Sequence, residues 1–374
     1  MIPLYNKVYI DLSALKHNLN QVKSLLPSEK KIMAIVKSDA YGHGLVPVSN
    51  FLDQNGVFSF GVSYLNEAIE LRNHGISRPI IILCGISSAE ECDLLFEKDL
   101  TPVVFNQSCV ELIAQASSIR NKQINVQIKL DTGMGRLGIP VSDTRAFIEK
   151  IKNYKLINIQ GLMSHLSSAD ETGCSFTNEQ IKKFRQAVET GRSMGLELPL
   201  NSLAGSAGIM GYKESHFDMI RPGIMLYGGS SSPNFHPKVS LKPVMSLRCR
   251  VLQVRDLPKQ TPVSYGRTYI TKRDQKIAVI SAGYGDGIPR AISEKGMILI
   301  KGQKAKVVGR ICMNMTMCDI TGINDNIAPG DEAVPLGKQG DNTITGDDIA
   351  AWGDTISYEI FCSIGQKNIK EYLR

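Results

Sequence analysis

Short apolar runs alternate with amphipathic stretches over the first two-thirds of this 374-residue chain. The runs at 31–36 (KIMAIV), 58–63, 79–84, 101–105, 124–130, 157–163, 198–204 and 220–228 are strand length and end in turn or polar residues. Helical spacing separates most of them. In 141–154, Phe147, Ile148, Ile151 and Tyr154 share one face, and the pattern over 65–75 stops at Gly75. In 177–191, Thr177 and Gln180 read as a capping box ahead of Ile181, Phe184 and Val188. Eight strands alternating with helices predict a parallel α/β domain, and the count fits a TIM-like (β/α)8 barrel of about 250 residues. A doubly wound open sheet is the alternative, but no GxGxxG follows a strand.

The pattern changes near residue 230. GGSSSPNFHPKVSLKP reads as a boundary loop. Beyond it VMSLRCRVLQV, KIAVISAGY, MILIKG, KAKVVGRI, EAVPLG and ISYEIFC are strand-like, with little helix between. The expected organisation is an α/β barrel over 1–235 and a mostly β C-terminal domain over 236–374.

Composition narrows the function classes. The net charge of +7 is spread along the chain with no run of five or six basic residues, so no nucleic-acid tail is read. No apolar stretch reaches the length of a membrane span, and the N-terminus lacks the basic and apolar regions of a signal peptide. The eight cysteines form no CxxC pair and fall mostly in apolar segments, which predicts reduced thiols and a cytoplasmic protein. No metal site is expected.

Candidate chemistry lies at the strand ends, where barrels of this kind carry their active sites. The first strand runs into AIVKSDAYGHG, which places Lys37 at the end of a buried run. A partly desolvated lysine becomes a nucleophilic amine able to form a Schiff base. Other strand ends carry Lys129 and Arg136, His165, the Gly-rich turn around Ser206, and Arg221 with Gly223. A Schiff-base lysine beside a turn whose free N–H groups suit a phosphate points to pyridoxal 5'-phosphate (PLP).

The stretch AIVKSDAYGHG resembles the PLP-lysine motif of bacterial alanine racemases. KLDTGMGRLG, RPGIMLYG, VSYGRTY, GYGDG, GRICMN, GDEAVPLG and ISYEI look like further segments of that family, in its order and over nearly the whole chain. The resemblance implies a barrel followed by a β domain, a head-to-tail homodimer and interconversion of L- and D-alanine, supplying D-alanine for peptidoglycan. It implies that Lys37 holds PLP and serves as one catalytic base. Tyr265, entering from the partner subunit, is implied as the other, with His165 and Arg221 in the surrounding network. Arg221 would face the pyridine nitrogen. The phosphate is expected at Ser206, the N–H groups of Gly223 and Ile224, and the hydroxyls of Tyr41 and Tyr358. The substrate carboxylate is expected at Arg136 and the N–H of Met313. Lys129 resembles a position that carries a carbamate, and Tyr284 one that narrows the entrance.

Three departures from the family pattern stand out: Gly205 where Asn is frequent, Asn314 where Asp is common, and a C-terminus, GQKNIKEYLR, poor in Arg. A racemase of serine or of broad range is a competing reading, because one methylene-sized step in a pocket is worth only about 1–3 kcal/mol. A fold-type III PLP decarboxylase and a PLP carrier are others; both lack the pairing of Lys37 with Tyr265.

Overall fold

The computed structural model describes residues 6–171, 173–232, 239–323 and 325–374. Six parallel strands pair in chain order: Lys31–Ile35, Ser59–Val62, Ile80–Ile82, Thr101–Val104, Ile124–Asp131 and Ile157–Met163. All residues of the second, third and fourth are buried, as strands covered on both faces must be. The ring closes through two thinner segments. Ser202 N donates to Leu162 O at 2.9 Å, Met219 N to Asn201 O at 3.1 Å, and Arg221 N to Ala204 O at 2.9 Å. Met219–Ile220 then pairs with Lys31–Ile35, which completes an eight-segment barrel.

The seventh and eighth segments are shorter than the sequence predicts. The run at 198–204 makes one β-bridge, at Ser202. Asn201 interrupts it, its side chain bonding Leu162 N, Leu198 O and Asp218. The run at 220–228 is a two-residue strand followed by a 3-10 turn, Ile224–Tyr227. Pro222 has no N–H for a ladder, so the strand stops there.

Helix Thr144–Lys152 buries Phe147, Ile148 and Ile151 as expected. Helix Ser175–Ser193 buries Ile181, Phe184 and Val188 but starts ahead of the expected capping box. Thr177 and Gln180 are interior, buried positions, not caps. Gln180 accepts from Ser167 N at 3.0 Å and donates to His165 O at 3.2 Å, a tertiary tie in place of a local one.

The C-terminal region forms an antiparallel sheet that curls on itself. Met245–Leu257 pairs with both Gln275–Ile280 and Glu332–Gln339, and Met297–Ile300, Gln303–Val307 and Thr316–Asp319 fill the path between. The start of the chain joins this sheet: Lys7–Asp11 pairs with Met245–Leu257 and with the last strand, Lys370–Leu373. ISYEIFC, expected as a strand, is helical within Ser357–Lys367. Ile360, Phe361 and Ile364 are buried on one helical face there. A seven-residue apolar run does not separate helix from strand by periodicity. The expected division at 235/236 lies outside the described residues. All eight cysteines are free. Among the described residues, no helix is long and apolar enough to cross a membrane, and no group of three or more metal-ligating side chains occurs.

Candidate active site

The strand Lys31–Ile35 delivers Lys37 to the barrel rim. Its next four residues, Ser38 to Tyr41, all take left-handed φ angles of 51–56°. None is glycine, and such a backbone costs roughly 1–2 kcal/mol per residue. One compensation is Glu67, whose carboxylate accepts from Ser38 N at 2.6 Å and Ser63 N at 2.8 Å. It thereby ties the turn after the first strand to the end of the second.

A cavity of about 500 Å³ opens at this rim. Lys37, Tyr41, Lys129, Arg136 and His165 line it, and Ser206, Arg221, Gly223, Ile224 and Tyr358 complete the wall. The structure therefore gathers ten of the thirteen expected site residues around one space; Tyr284 lies at a separate surface cleft. Tyr265 and Met313 do not line it; they are 68% and 59% exposed on the second domain. A cleft of about 610 Å³ by Asp256, Asp274 and Thr321 contains none of these residues.

Arg221 is the most fixed of the cations. Its guanidinium donates to Ser202 Oγ at 2.6 Å, to Leu203 O at 3.1 Å and to Ser164 O. Burial lowers its pKa to about 10, so it stays charged at neutral pH. Its Nη2 lies 3.4 Å from His165 Nδ1. A guanidinium only donates, so Nδ1 accepts and the ring proton sits on Nε2. Burial first, and then Arg221 and Lys129, hold His165 well below its ordinary pKa. Lys129 is held well below the lysine range by burial, then by Arg221 and Arg136.

Arg136 is placed by a loop built on Asp131. That carboxylate accepts from Gly133 N at 2.9 Å, Met134 N at 2.8 Å and Gly135 N at 3.0 Å.

The same cavity wall carries hydroxyl and backbone N–H groups. Ser206 Oγ accepts from Gly223 N at 3.1 Å and Met225 N at 3.3 Å. The Tyr41 ring lies 5.6 Å from that of Tyr358. Burial pushes both phenols up, Tyr358 to about 12, so they remain O–H donors. A Cβ on Gly223 would lie 2.6 Å from the Tyr41 hydroxyl, so the close approach requires glycine there. Neutral hydroxyls and backbone N–H groups beside Arg221 suit a phosphate, and Lys37 suits an aldehyde. The residues present fit PLP.

On the second domain, Tyr265 opens a 3-10 turn, Tyr265–Arg267, after Ser264 at φ 65°. The loop carrying Tyr284 is knitted to the one carrying Met313: Tyr284 N donates to Cys312 O at 3.1 Å and Gly285 N to Met313 O at 2.7 Å. Asn314 Nδ2 reaches Asp286 at 3.3 Å, a contact that an Asp at 314 would replace with two like charges. Gly205 lines the cavity, and a Cβ there would lie 3.2 Å from the His165 ring.

The family description "Alanine racemase, N-terminal domain" matches residues 10–231, and "Alanine racemase, C-terminal domain" matches 244–372. The chain belongs to the alanine racemase family. An alanine racemase of Halothermothrix orenii is 42% identical over 97% of this chain and 95% of its own. One of Syntrophobacter fumaroxidans is 39% identical over 98% and 96%. The crystal structure of the alanine racemase from a D-cycloserine-producing Streptomyces lavendulae superposes with a TM-score of 0.93 at 31% identity, covering 100% of this chain and 98% of its own. That of Bacillus anthracis, with bound L-Ala-P, gives 0.90 at 28% identity over 100% and 96%. The alanine racemase family is PLP-dependent, and membership makes this chain a PLP enzyme that interconverts L- and D-alanine.

Sequence reasoning missed three supports of this alanine racemase site: Glu67, Asp131 and Gln180. Each acts mainly on main-chain groups. The only sequence signal for Asp131 is its place before two glycines, which marks an Asx-type loop.

Proposed function

We propose that Lys37 and Tyr265 are the two bases of a racemisation in which Tyr265 comes from a second copy of the chain. When bound, PLP stabilises the negative charge left at the substrate α-carbon. Lys37 Nζ removes or returns the proton on one face. Tyr265 Oη serves the other, so the substrate need not turn over. Lys37 would hold the cofactor. Ser206, Tyr41, Tyr358 and the N–H groups of Gly223 and Ile224 would hold its phosphate. Arg221 would face the pyridine nitrogen, where its fixed charge would disfavour protonation of that nitrogen and so limit transamination.

Arg136 and the partner's Met313 N–H would take the substrate carboxylate, and Tyr284 would narrow the entrance. The reading rests on one observation above the others: a cation-rich cavity that also carries hydroxyl and N–H groups, at the lysine end of the barrel. The high exposure of Tyr265 and Met313 in the single chain supports a head-to-tail homodimer that covers them. The enzyme is assigned to the cytoplasm, supplying D-alanine for peptidoglycan.

Lys129 is a carbamate in this reading. Its neutral amine attacks CO₂, an N–C bond forms, and the proton leaves to solvent. The resulting anion is stabilised by Arg136 and Arg221, which disfavour the ammonium. Intact-mass analysis under CO₂ should show one added CO₂ that Lys129→Ala lacks; equal masses refute it.

Proton exchange in D₂O tests the activity. Holoenzyme given L-alanine, L-serine, L-lysine or L-arginine should form α-deuterated D-alanine fastest. Tyr265→Phe should lose activity unequally in the two directions. Faster exchange of another amino acid moves the assignment to a serine or broad-range racemase. No exchange on any of them overturns the racemase.

A further inference from the structure

The backbone leaving Lys37 is held by the far end of the chain. Ser38, Asp39, Ala40 and Tyr41 form a left-handed turn without glycine, which relaxes unless its surroundings hold it. His43 Nδ1 lies 3.0 Å from both Ala40 O and Tyr41 O, so the ring donates to the turn. Asp39 accepts from Leu45 N at 2.7 Å through one oxygen and pairs with Lys370 Nζ at 2.8 Å through the other. Tyr372 OH donates to His43 O at 3.2 Å, and a Cβ on Gly44 would lie 1.9 Å from that hydroxyl.

Lys370 and Tyr372 belong to the last strand, which is anchored to Lys7–Asp11 in the β domain's sheet. The Lys370–Asp39 pair is partly shielded, with side chains 17% and 36% exposed. On the same strand, Glu371 pairs with Lys7 in the open, at 51% and 39%, and does not touch the turn. Shielding makes the first pair worth more than the second.

We propose that the strand Lys370–Leu373 is a clasp on the turn that follows Lys37, and that Lys370 is a positioning residue for cofactor retention. The inference rests on Lys37 being the lysine that holds PLP. Through Asp39, Lys370 fixes a turn that has Lys37 at one end and Tyr41 at the other. Loosening it lets the lysine and the phosphate cradle drift out of register.

Release of PLP from purified holoenzyme, followed as loss of protein-bound visible absorbance during ultrafiltration, tests the clasp. Lys370→Met should release PLP about fivefold faster than the wild type, and Lys370→Arg within about twofold. Glu371→Gln breaks the neighbouring pair and should leave release unchanged. Equal rates for Lys370→Met and Glu371→Gln, or for Lys370→Met and the wild type, overturn the proposal. If Lys370→Met does not fold, Asp39→Asn breaks the same pair and leaves an oxygen for Leu45, and the same comparison applies. Borohydride reduction of wild-type holoenzyme with peptide mapping checks the underlying assignment separately. A cofactor label on any residue other than Lys37 refutes that assignment whatever the release rates show.

Discussion

His43 carries a buried Nε2 with no hydrogen-bond partner among the described residues. Its ring stacks on Tyr227 at 4.5 Å and meets Phe361 edge-on at 5.3 Å. Burial lowers its pKa from 6.5 to about 4; two carbonyl bonds and Asp39 oppose the shift, and Lys370 adds to it. A depressed histidine pKa means that the unfolded chain takes up a proton, below pH 6.5, that the folded chain refuses. Stability is therefore full above pH 6.5, falls as pH drops towards 4, and levels off below. The size of this contribution is about 3 kcal/mol over that window. Urea unfolding of wild type and His43→Asn between pH 7 and 4 should show the wild type losing roughly that much more. Parallel curves would mean that the ring is not buried neutral.

At the scale of elements, legibility tracked where hydrogen bonds go. Ser59–Val62 and Thr101–Val104 were readable because a parallel strand covered on both faces leaves a continuous apolar run. Lys37, Arg136 and Arg221 were readable as strand-end charges, and the family likeness supplied their roles. The helix Ser357–Lys367 was not, because its apolar residues crowd into seven positions. Thr177 and Gln180 have the spacing of a cap but are spent on the core and on His165 O. Lys7–Asp11 pairs with partners more than two hundred residues away, and no local pattern announces that. Glu67 illustrates the general difficulty. On its helix it reads as a surface carboxylate, yet it organises the two loops that flank the cavity. Long-range bonds to main-chain N–H groups leave no trace in residue spacing.

At the scale of the whole molecule, one chain separates the two residues proposed as bases. Lys37 lines the barrel cavity, whereas Tyr265 stands exposed on the other domain, which also exposes the apolar side chains of Ile270, Met313 and Met315. Exposed apolar side chains of this kind are what the proposed dimer would cover. In the proposed dimer each Tyr265 would reach the neighbour's cavity, and twofold symmetry would make two equivalent composite sites. Composite sites have a consequence that sites within one chain do not. Lys37→Ala and Tyr265→Phe would each inactivate homodimers strongly in at least one direction. In a mixed dimer of the two, one site carries both lesions and the other carries neither. Random mixing gives heterodimers in half the population with one intact site each, so about a quarter of wild-type activity should return. Co-expression with two affinity tags, purification of the doubly tagged dimer and assay for D-alanine measures this directly. The isolated heterodimer should then show about half the wild-type rate per dimer. A heterodimer no more active than the better of its two parents would place Tyr265 and Lys37 in the same chain's site.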